Sequence, residues 1–186
     1  MAQIVEGKSL LVVEDHYTTK EGIKFAAHRA QAFGVIYGAS TCKEAREVLK
    51  QHQVDVLTMD LRLPDCMGTR LVEEVKKKQG AKIIVHSMLE DETVYHYLYK
   101  MGVDAVVVKS ADNDELSRAF ASILTGQQYF SKDVEAIIEA NANKDIEMIN
   151  LTPRESVILQ MIAGGAIAKE IGNQLDIPLK RIAKLC

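Results

Sequence analysis

The sequence of 186 residues contains no tryptophan, and aromatic residues make up only 5% of it. Hydrophobic residues nevertheless reach 47%, so any core must be built mainly from aliphatic side chains. No apolar run approaches the roughly 18 residues that a membrane-spanning helix needs. Glu6 and Lys8 precede the first apolar block, which is not the pattern of a secretory signal. We therefore expect a soluble, cytoplasmic protein that has no membrane partner.

Cysteine is scarce as well. Cys42, Cys66 and Cys186 are odd in number and widely spaced, a pattern that indicates neither a disulfide framework nor a zinc site. We expect these thiols to be reduced, as they are in most cytosolic proteins.

A strong excess of either charge is also lacking, since the formal net charge is -3. Residues 149–186 carry five basic and three acidic side chains, whereas the rest of the chain carries 18 basic and 23 acidic ones. A mildly basic tail on an acidic body is compatible with nucleic-acid binding by the tail, but so small a surplus is weak support for it.

Short apolar runs alternate with segments of helical periodicity five times before about residue 126. Continuous apolar strands are typical of a parallel sheet that helices cover on both faces. Right-handed crossovers then give a doubly wound α/β domain with a flavodoxin-like sheet of five parallel strands. We predict this domain over residues 6–126, a linker over 127–148, and a small all-α tail over 149–186.

Chemically reactive side chains stand where four of the predicted strands end. Glu14 and Asp15 follow the first strand, Asp60 follows the third, Ser87 ends the fourth and Lys109 ends the fifth. Parallel strands bring such ends to one edge of a sheet. Three carboxylates there would repel one another unless a cation lies among them, and Mg2+ suits a site of hard oxygen ligands.

The same five side chains predict an acceptor site for a phosphoryl group. Asp60 would be the nucleophile and would form an aspartyl phosphate. Glu14 and Asp15 would hold the Mg2+, Lys109 would pair with the phosphoryl oxygens, and Ser87 would donate a hydrogen bond to them. Taken singly, Ser87 is more simply a strand-end hydroxyl and Lys109 a solvated lysine, but the combination favours the phosphoryl site.

Four stretches carry these residues in order: VVED, VDVLTMDLRLPDCMG, KIIVHSM and VDAVVVKSAD. Together they resemble the receiver domain of two-component response regulators, over about residues 8–126. The resemblance implies phosphorylation of Asp60 by a histidine kinase, a Mg2+ site completed by the backbone carbonyl of Arg62, and a homodimer on activation. It also implies no enzymatic activity apart from self-phosphorylation from a phosphodonor and self-dephosphorylation.

Two positions depart from the family pattern. Val106 lies three residues before Lys109, where the family often has an aromatic residue that takes part in switching. Met88 follows Ser87, where a small residue is common, and a methionine there would crowd the acceptor and slow phosphoryl exchange. Both side chains are also ordinary components of the core of a sheet.

A helix-turn-helix pattern follows the predicted linker. Thr152, Pro153 and Glu155 form a helix start with a capping box. Gly164 and Gly165 interrupt this helix, and the stretch AIAKEIGNQL predicts a second one.

The stretches LTPRE and IAGGAIAKEIGNQLDI resemble the DNA-binding domain of the NarL/LuxR class of response regulators. The likeness fades at Pro178, Arg181 and Leu185, where the class usually has serine, threonine and histidine. Because the sequence stops at Cys186, we expect a C-terminally incomplete domain. Basic side chains in this part either contact DNA phosphates or are solvated charges at a helix end. The candidates are Lys180, Arg181 and Lys184.

The sequence as a whole predicts a phosphorylation-dependent response regulator that binds promoter DNA and regulates transcription. An alternative is a protein-interaction module of receiver type whose tail does not bind DNA on its own. A third hypothesis is a phosphatase with a nucleophilic aspartate. Such enzymes commonly place an acid two residues after the nucleophile, where this sequence has Arg62.

Overall fold

The computed structural model describes residues 7–78, 80–88, 92–109, 114–141, 158, 161, 166–175 and 177. The chain divides into two compact units, Met1–Ile146 and Glu147–Cys186. In the first unit, strands and helices alternate along the chain. Its elements are β1 (Lys8–Val13), α1 (Tyr17–Arg29), β2 (Phe33–Ala39), α2 (Cys42–Gln51), β3 (Val56–Met59), α3 (Gly68–Lys78), β4 (Lys82–Ser87), α4 (Glu92–Lys100), β5 (Ala105–Val108), α5 (Glu115–Leu124), β6 (Tyr129–Phe130) and α6 (Lys132–Ala140).

The strands form one six-stranded sheet in the order β2-β1-β3-β4-β5-β6, and every neighbouring pair is parallel. The predicted parallel α/β fold is confirmed, with one strand more than the sequence predicts. The chain passes from β1 outward to β2 and then crosses back to β3 on the other side of β1. This reversal leaves the carboxyl ends of β1 and β3 side by side, where open α/β sheets bind their ligands.

Helices pack on both faces of the sheet. Leu10 and Val12 of β1 pack with Ile23 of α1 and Phe120 of α5 in one core. The alternate residues of β1 point to the opposite face and are equally buried. Burial on both faces explains why the strands are continuous apolar runs in the sequence.

The segment predicted as a linker, residues 127–148, contains two elements of the first unit. Tyr129 and Phe130 form β6 and pair with Ala105 and Val106 of β5. The helix α6 follows, and its Val134 is fully buried. The sequence signal for these elements is short: the pair Tyr129 and Phe130, followed by two apolar helical positions, Val134 and Ile138. A signal of this length cannot be distinguished from the composition of a linker. The sequence alone therefore does not predict that residues 127–141 belong to the first unit.

In the second unit, the structure describes one helix, α7 (Ala168–Leu175), which confirms the helix predicted from AIAKEIGNQL. Ile171 of α7 packs with Ile158 and Ile177 in a small apolar core. The amide of Ile167 donates a hydrogen bond to the Glu170 carboxylate at 2.9 Å, which satisfies a free N–H at the start of the helix. Among the described residues, no helix is long and apolar enough to cross a membrane.

Several sequence predictions for the tail lie outside the described residues. They concern Thr152, Pro153, Glu155, Gly164, Gly165, Pro178, Lys180, Arg181, Lys184, Leu185 and Cys186.

Two of the three cysteines are joined, in contrast to the expectation of reduced thiols. Cys42 and Cys66 form a disulfide with their Cα atoms 6.2 Å apart. The two residues are 24 positions apart in the chain, so their spacing gives no indication of the pairing. They meet because the start of α2 and the loop after β3 both lie at the carboxyl edge of the sheet.

Candidate functional site

The carboxyl ends of β1, β3, β4 and β5 bring four of the predicted site residues together. Glu14, Asp60 and Ser87 are 0%, 5% and 2% exposed, respectively. The backbone holds these positions in register, because the Asp60 amide donates to the Val13 carbonyl at 2.9 Å and the Lys109 amide donates to the Ser87 carbonyl at 3.2 Å. The predicted convergence of these side chains at one edge is therefore observed.

Both oxygens of the Asp60 carboxylate accept hydrogen bonds. Lys109 Nζ donates to Oδ2 at 2.6 Å. Ser87 Oγ donates to Oδ1 at 2.7 Å, and the amide of Arg62 donates to the same atom at 3.1 Å. The carboxylate is thus held in a fixed orientation by donors from two neighbouring strand ends and from its own loop.

The Asp60 carboxyl group is ionised at neutral pH in spite of its burial. Burial by itself raises the pKa of Asp60, but the hydrogen bonds from Lys109, Ser87 and Arg62, together with the Lys109 charge, bring this pKa below its usual range. An ionised carboxylate is the form that can act as a nucleophile.

Lys109 connects the two buried acids. Its Nζ lies 2.7 Å from Glu14 Oε2 as well as 2.6 Å from Asp60 Oδ2. Burial lowers the pKa of Lys109, but the hydrogen bonds and charges of Asp60 and Glu14 outweigh it, so the pKa lies above its usual range. Lys109 is therefore a permanent positive charge at the site.

His16 also belongs to this site, which its place in the sequence does not predict. Its Nδ1 lies 2.9 Å from Asp15 Oδ1 and 3.2 Å from Glu14 Oε1. Its amide donates to the same Glu14 oxygen at 3.0 Å. The only available signal was its position directly after the acid pair in VVEDHY, and a histidine at a strand-to-helix junction is common without any such role.

The acids and the histidine could together hold a metal ion. Glu14, Asp15, His16 and Asp60 each offer a ligand atom, and these atoms lie within 4.8 Å of one another. Carboxylate oxygens dominate the set, which fits a hard cation such as Mg2+. Arg62 lies two residues after Asp60, and its amide donates a hydrogen bond to Asp60 Oδ1. The role of its carbonyl as a metal ligand remains a prediction.

The two departures from the family pattern have different surroundings. Val106 is 1% exposed in β5, whereas Met88 is 62% exposed at the end of β4. Val106 is therefore a core residue, while Met88 is not. Met88 and Lys109 line one cavity of about 790 Å3 between α1, β5 and α5, so Met88 lies near Lys109 with its side chain largely in solvent.

Residues 10–121 match the response regulator receiver domain. The chain therefore belongs to the response regulator receiver family.

Similarity to individual response regulators extends over nearly the whole chain. The nitrate/nitrite response regulator protein NarL of Escherichia coli (strain K12) is 26% identical over 178 residues, which cover 92% of this chain and 82% of NarL. The transcriptional regulatory protein DesR of Bacillus subtilis (strain 168) is 26% identical over 169 residues, which cover 91% of this chain and 81% of DesR.

Solved structures of response regulators share the fold. RcsB from Salmonella enterica serovar Typhimurium, bound to a promoter in the presence of the phosphomimetic BeF3-, matches with a TM-score of 0.70 at 21% identity. The match covers 97% of this chain and 88% of the RcsB chain.

Proposed function

We propose that this protein is a phosphorylation-dependent response regulator in which Asp60 accepts a phosphoryl group from a histidine kinase. The observation that carries the proposal is the Asp60 carboxylate, which Lys109 and Ser87 hold at 2.6 and 2.7 Å beside the buried Glu14. Membership of the receiver family supports the same function.

In the proposed reaction, an Asp60 oxygen forms a bond to phosphorus while the bond from phosphorus to the histidine nitrogen of the kinase breaks. Lys109 moves from the carboxylate to the incoming phosphoryl oxygens, whose negative charge it balances. Ser87, already 2.7 Å from Asp60 Oδ1, donates its hydroxyl to the phosphoryl group. Positioning and charge neutralisation are the main contributions a protein makes to such a transfer.

The residues that would hold Mg2+ are Glu14, Asp15 and Asp60, with the carbonyl of Arg62. When bound, Mg2+ would neutralise the oxygens of the transferred group. Glu14 Oε2 contacts Lys109 Nζ, and Glu14 Oε1 accepts a hydrogen bond from the His16 amide. Glu14 would therefore bind the Mg2+ through a water molecule, or directly once one of these contacts has broken. Apart from transfer to Asp60 and hydrolysis from it, we propose no enzymatic activity.

We further propose that the phosphorylated protein dimerises, binds promoter DNA in the cytoplasm and regulates transcription. The similarity to NarL and DesR over more than nine tenths of the chain supports this, and so does the apolar core around α7 in the second unit. The candidate phosphate contacts Lys180, Arg181 and Lys184 belong to the same proposal.

The direct test is phosphoryl uptake from acetyl phosphate in the presence of Mg2+. The wild-type chain should incorporate acid-labile phosphate, and Asp60→Asn should not. Asp133→Asn, an exposed change on α6, is the matched control and should behave as the wild type. Equal uptake by Asp60→Asn and the control would contradict the proposal.

A further inference from the structure

The disulfide between Cys42 and Cys66 lies beside the acceptor site but is not part of it. Cys42 is the first residue of α2, and Cys66 lies in the loop between β3 and α3, residues 60–67, which we call the acceptor loop. The bond therefore joins the acceptor loop to the first residue of α2.

The acceptor loop is a compact closed turn that begins at Asp60 itself. Arg62 and Met67 form an antiparallel bridge across it, and the amide of Gly68 donates to the Leu61 carbonyl at 2.8 Å. A Cβ atom on Gly68 would lie 2.5 Å from the carbonyl oxygen of Asp60, so the two ends of the turn are in close contact. A restraint on Cys66 is consequently a restraint on the backbone that donates to Asp60.

The neighbouring Asp65 is already engaged, which favours redox chemistry over metal binding at this cluster. Its Oδ1 accepts a hydrogen bond from the amide of Cys42 at 2.8 Å, and its Oδ2 accepts one from the amide of Lys43 at 2.9 Å. Both oxygens satisfy free N–H groups at the start of α2. They are not available as metal ligands without loss of these bonds, whereas the two sulfur atoms are already paired.

We propose that Cys42 and Cys66 are a reversible redox pair, and that their disulfide slows phosphoryl transfer to Asp60 by restraining the acceptor loop. The second part rests on the proposed function. Each Asp60 oxygen is occupied by donors, and Arg62 in the acceptor loop supplies one of them. Release of the Arg62 amide leaves Oδ1 with the Ser87 hydroxyl as its donor, which makes this oxygen a better nucleophile toward phosphorus. The disulfide opposes the loop movement that releases the amide. In a reducing compartment, protein disulfides are usually transient and redox-sensing.

The oxidant we propose is a hydroperoxide. The half-buried Cys66 thiolate attacks a peroxide oxygen, the O–O bond breaks, the alcohol or water leaves, and the sulfur becomes a sulfenic acid. The Cys42 thiolate then attacks this sulfur. The S–S bond forms and water is lost, so two thiols and one hydroperoxide give one disulfide, one alcohol and one water. A dithiol then reduces the disulfide through a mixed disulfide at Cys66, which restores the two thiols and leaves the dithiol as its own disulfide.

The test uses the full chain, treated with hydrogen peroxide or with dithiothreitol, and measures two quantities. Differential alkylation and mass spectrometry locate the oxidised cysteines, and acetyl phosphate with Mg2+ gives the rate of phosphoryl uptake. Cys66→Ser removes the pair at a half-buried position, and Cys42→Ala removes it at the buried one. Cys186→Ser is the matched control, because it leaves the pair in place.

In the wild type and Cys186→Ser, peroxide should protect Cys42 and Cys66 from alkylation and slow uptake about fivefold, which is about 1 kcal/mol of barrier. Dithiothreitol should restore both the alkylation of the two cysteines and the rate of phosphoryl uptake. Cys66→Ser and Cys42→Ala should each take up phosphate at the same rate after peroxide as after dithiothreitol. Full alkylation of both cysteines after peroxide, equal rates in the two redox states, or stoichiometric zinc held by the two thiols would each overturn the inference. Absence of uptake by reduced protein would instead refute the proposed function, while the alkylation result would still decide whether the redox pair exists.

Discussion

Among the described residues, Lys109 is the cation that pairs with Asp60. Lys109 Nζ contacts both Asp60 and Glu14, and both acids are buried. A buried charge that loses its partner destabilises the folded state by several kcal/mol. The acceptor site is therefore also a determinant of stability.

We expect Lys109→Met to lower the free energy of unfolding by about 3 kcal/mol, because it removes the cation that contacts two buried carboxylates. Urea denaturation measures this loss, and added Mg2+ should recover more stability in the variant than in the wild type. Lys50→Met removes an ion pair with Glu47 that is exposed on α2 and should change stability by less than about 0.5 kcal/mol. A similar effect for the two variants would contradict this interpretation.

His86 should make the free energy of unfolding depend on pH in the acidic range. Burial, and then the Lys109 charge, lower the pKa of His86 to about 4, below that of an unfolded chain at about 6.5. The unfolded state therefore binds more protons between these values, and stability is lost as the pH falls from about 6.5 towards 4.

We expect His86→Gln to reduce the loss of stability between about pH 7 and pH 4 by about 2 kcal/mol, allowing for the partial exposure of the ring. Urea denaturation at each pH measures it. The matched control is His28→Gln, an exposed change on α1, which should retain the wild-type dependence of stability on pH. A wild-type dependence in His86→Gln as well would contradict the prediction.

At the scale of elements, β6 and α6 complete the sheet and cover it. Val134 of α6 is fully buried, and its neighbour Glu135 is exposed. We expect Val134→Ala to lower the free energy of unfolding by about 2 kcal/mol through lost packing. Glu135→Ala should change it by less than about 0.5 kcal/mol. If Val134→Ala and Glu135→Ala both left the urea denaturation curve unchanged, residues 127–141 would be a linker and not part of the sheet domain.

The features that the sequence predicted correctly have strong local signals. The four strand ends could be located because apolar runs stop at Glu14, Asp60, Ser87 and Lys109, and topology then brings these ends together. The start of α2 has an equally local signal, since the N-cap Thr41 accepts a hydrogen bond at Oγ1 from the Glu44 amide at 3.1 Å.

The features that could not be predicted from the sequence depend on the three-dimensional path of the chain. Cys42 and Cys66 meet only because α2 and the acceptor loop share one edge of the sheet. His16 joins the site because the turn after β1 directs its ring back towards Glu14 and Asp15. Neither contact follows from periodicity or spacing, since both need the three-dimensional arrangement.

At the scale of the whole molecule, phosphorylation must change an equilibrium between two states of the chain to have an effect. We expect the wild-type protein to shift from monomer towards dimer with acetyl phosphate and Mg2+, as measured by analytical ultracentrifugation. Asp60→Asn should not shift, whereas Asp133→Asn should shift as the wild type does. A dimer fraction independent of the phosphodonor in all three proteins would contradict this account of activation.

The central claim is that Asp60 carries the phosphoryl group, and chemical trapping tests it most directly. Borohydride reduces an acyl phosphate on aspartate to homoserine, which peptide mass spectrometry can locate in the chain. After incubation with acetyl phosphate and Mg2+, we predict homoserine at position 60 and at no other aspartate. Homoserine at another position, or phosphate on a side chain other than a carboxylate, would contradict the account.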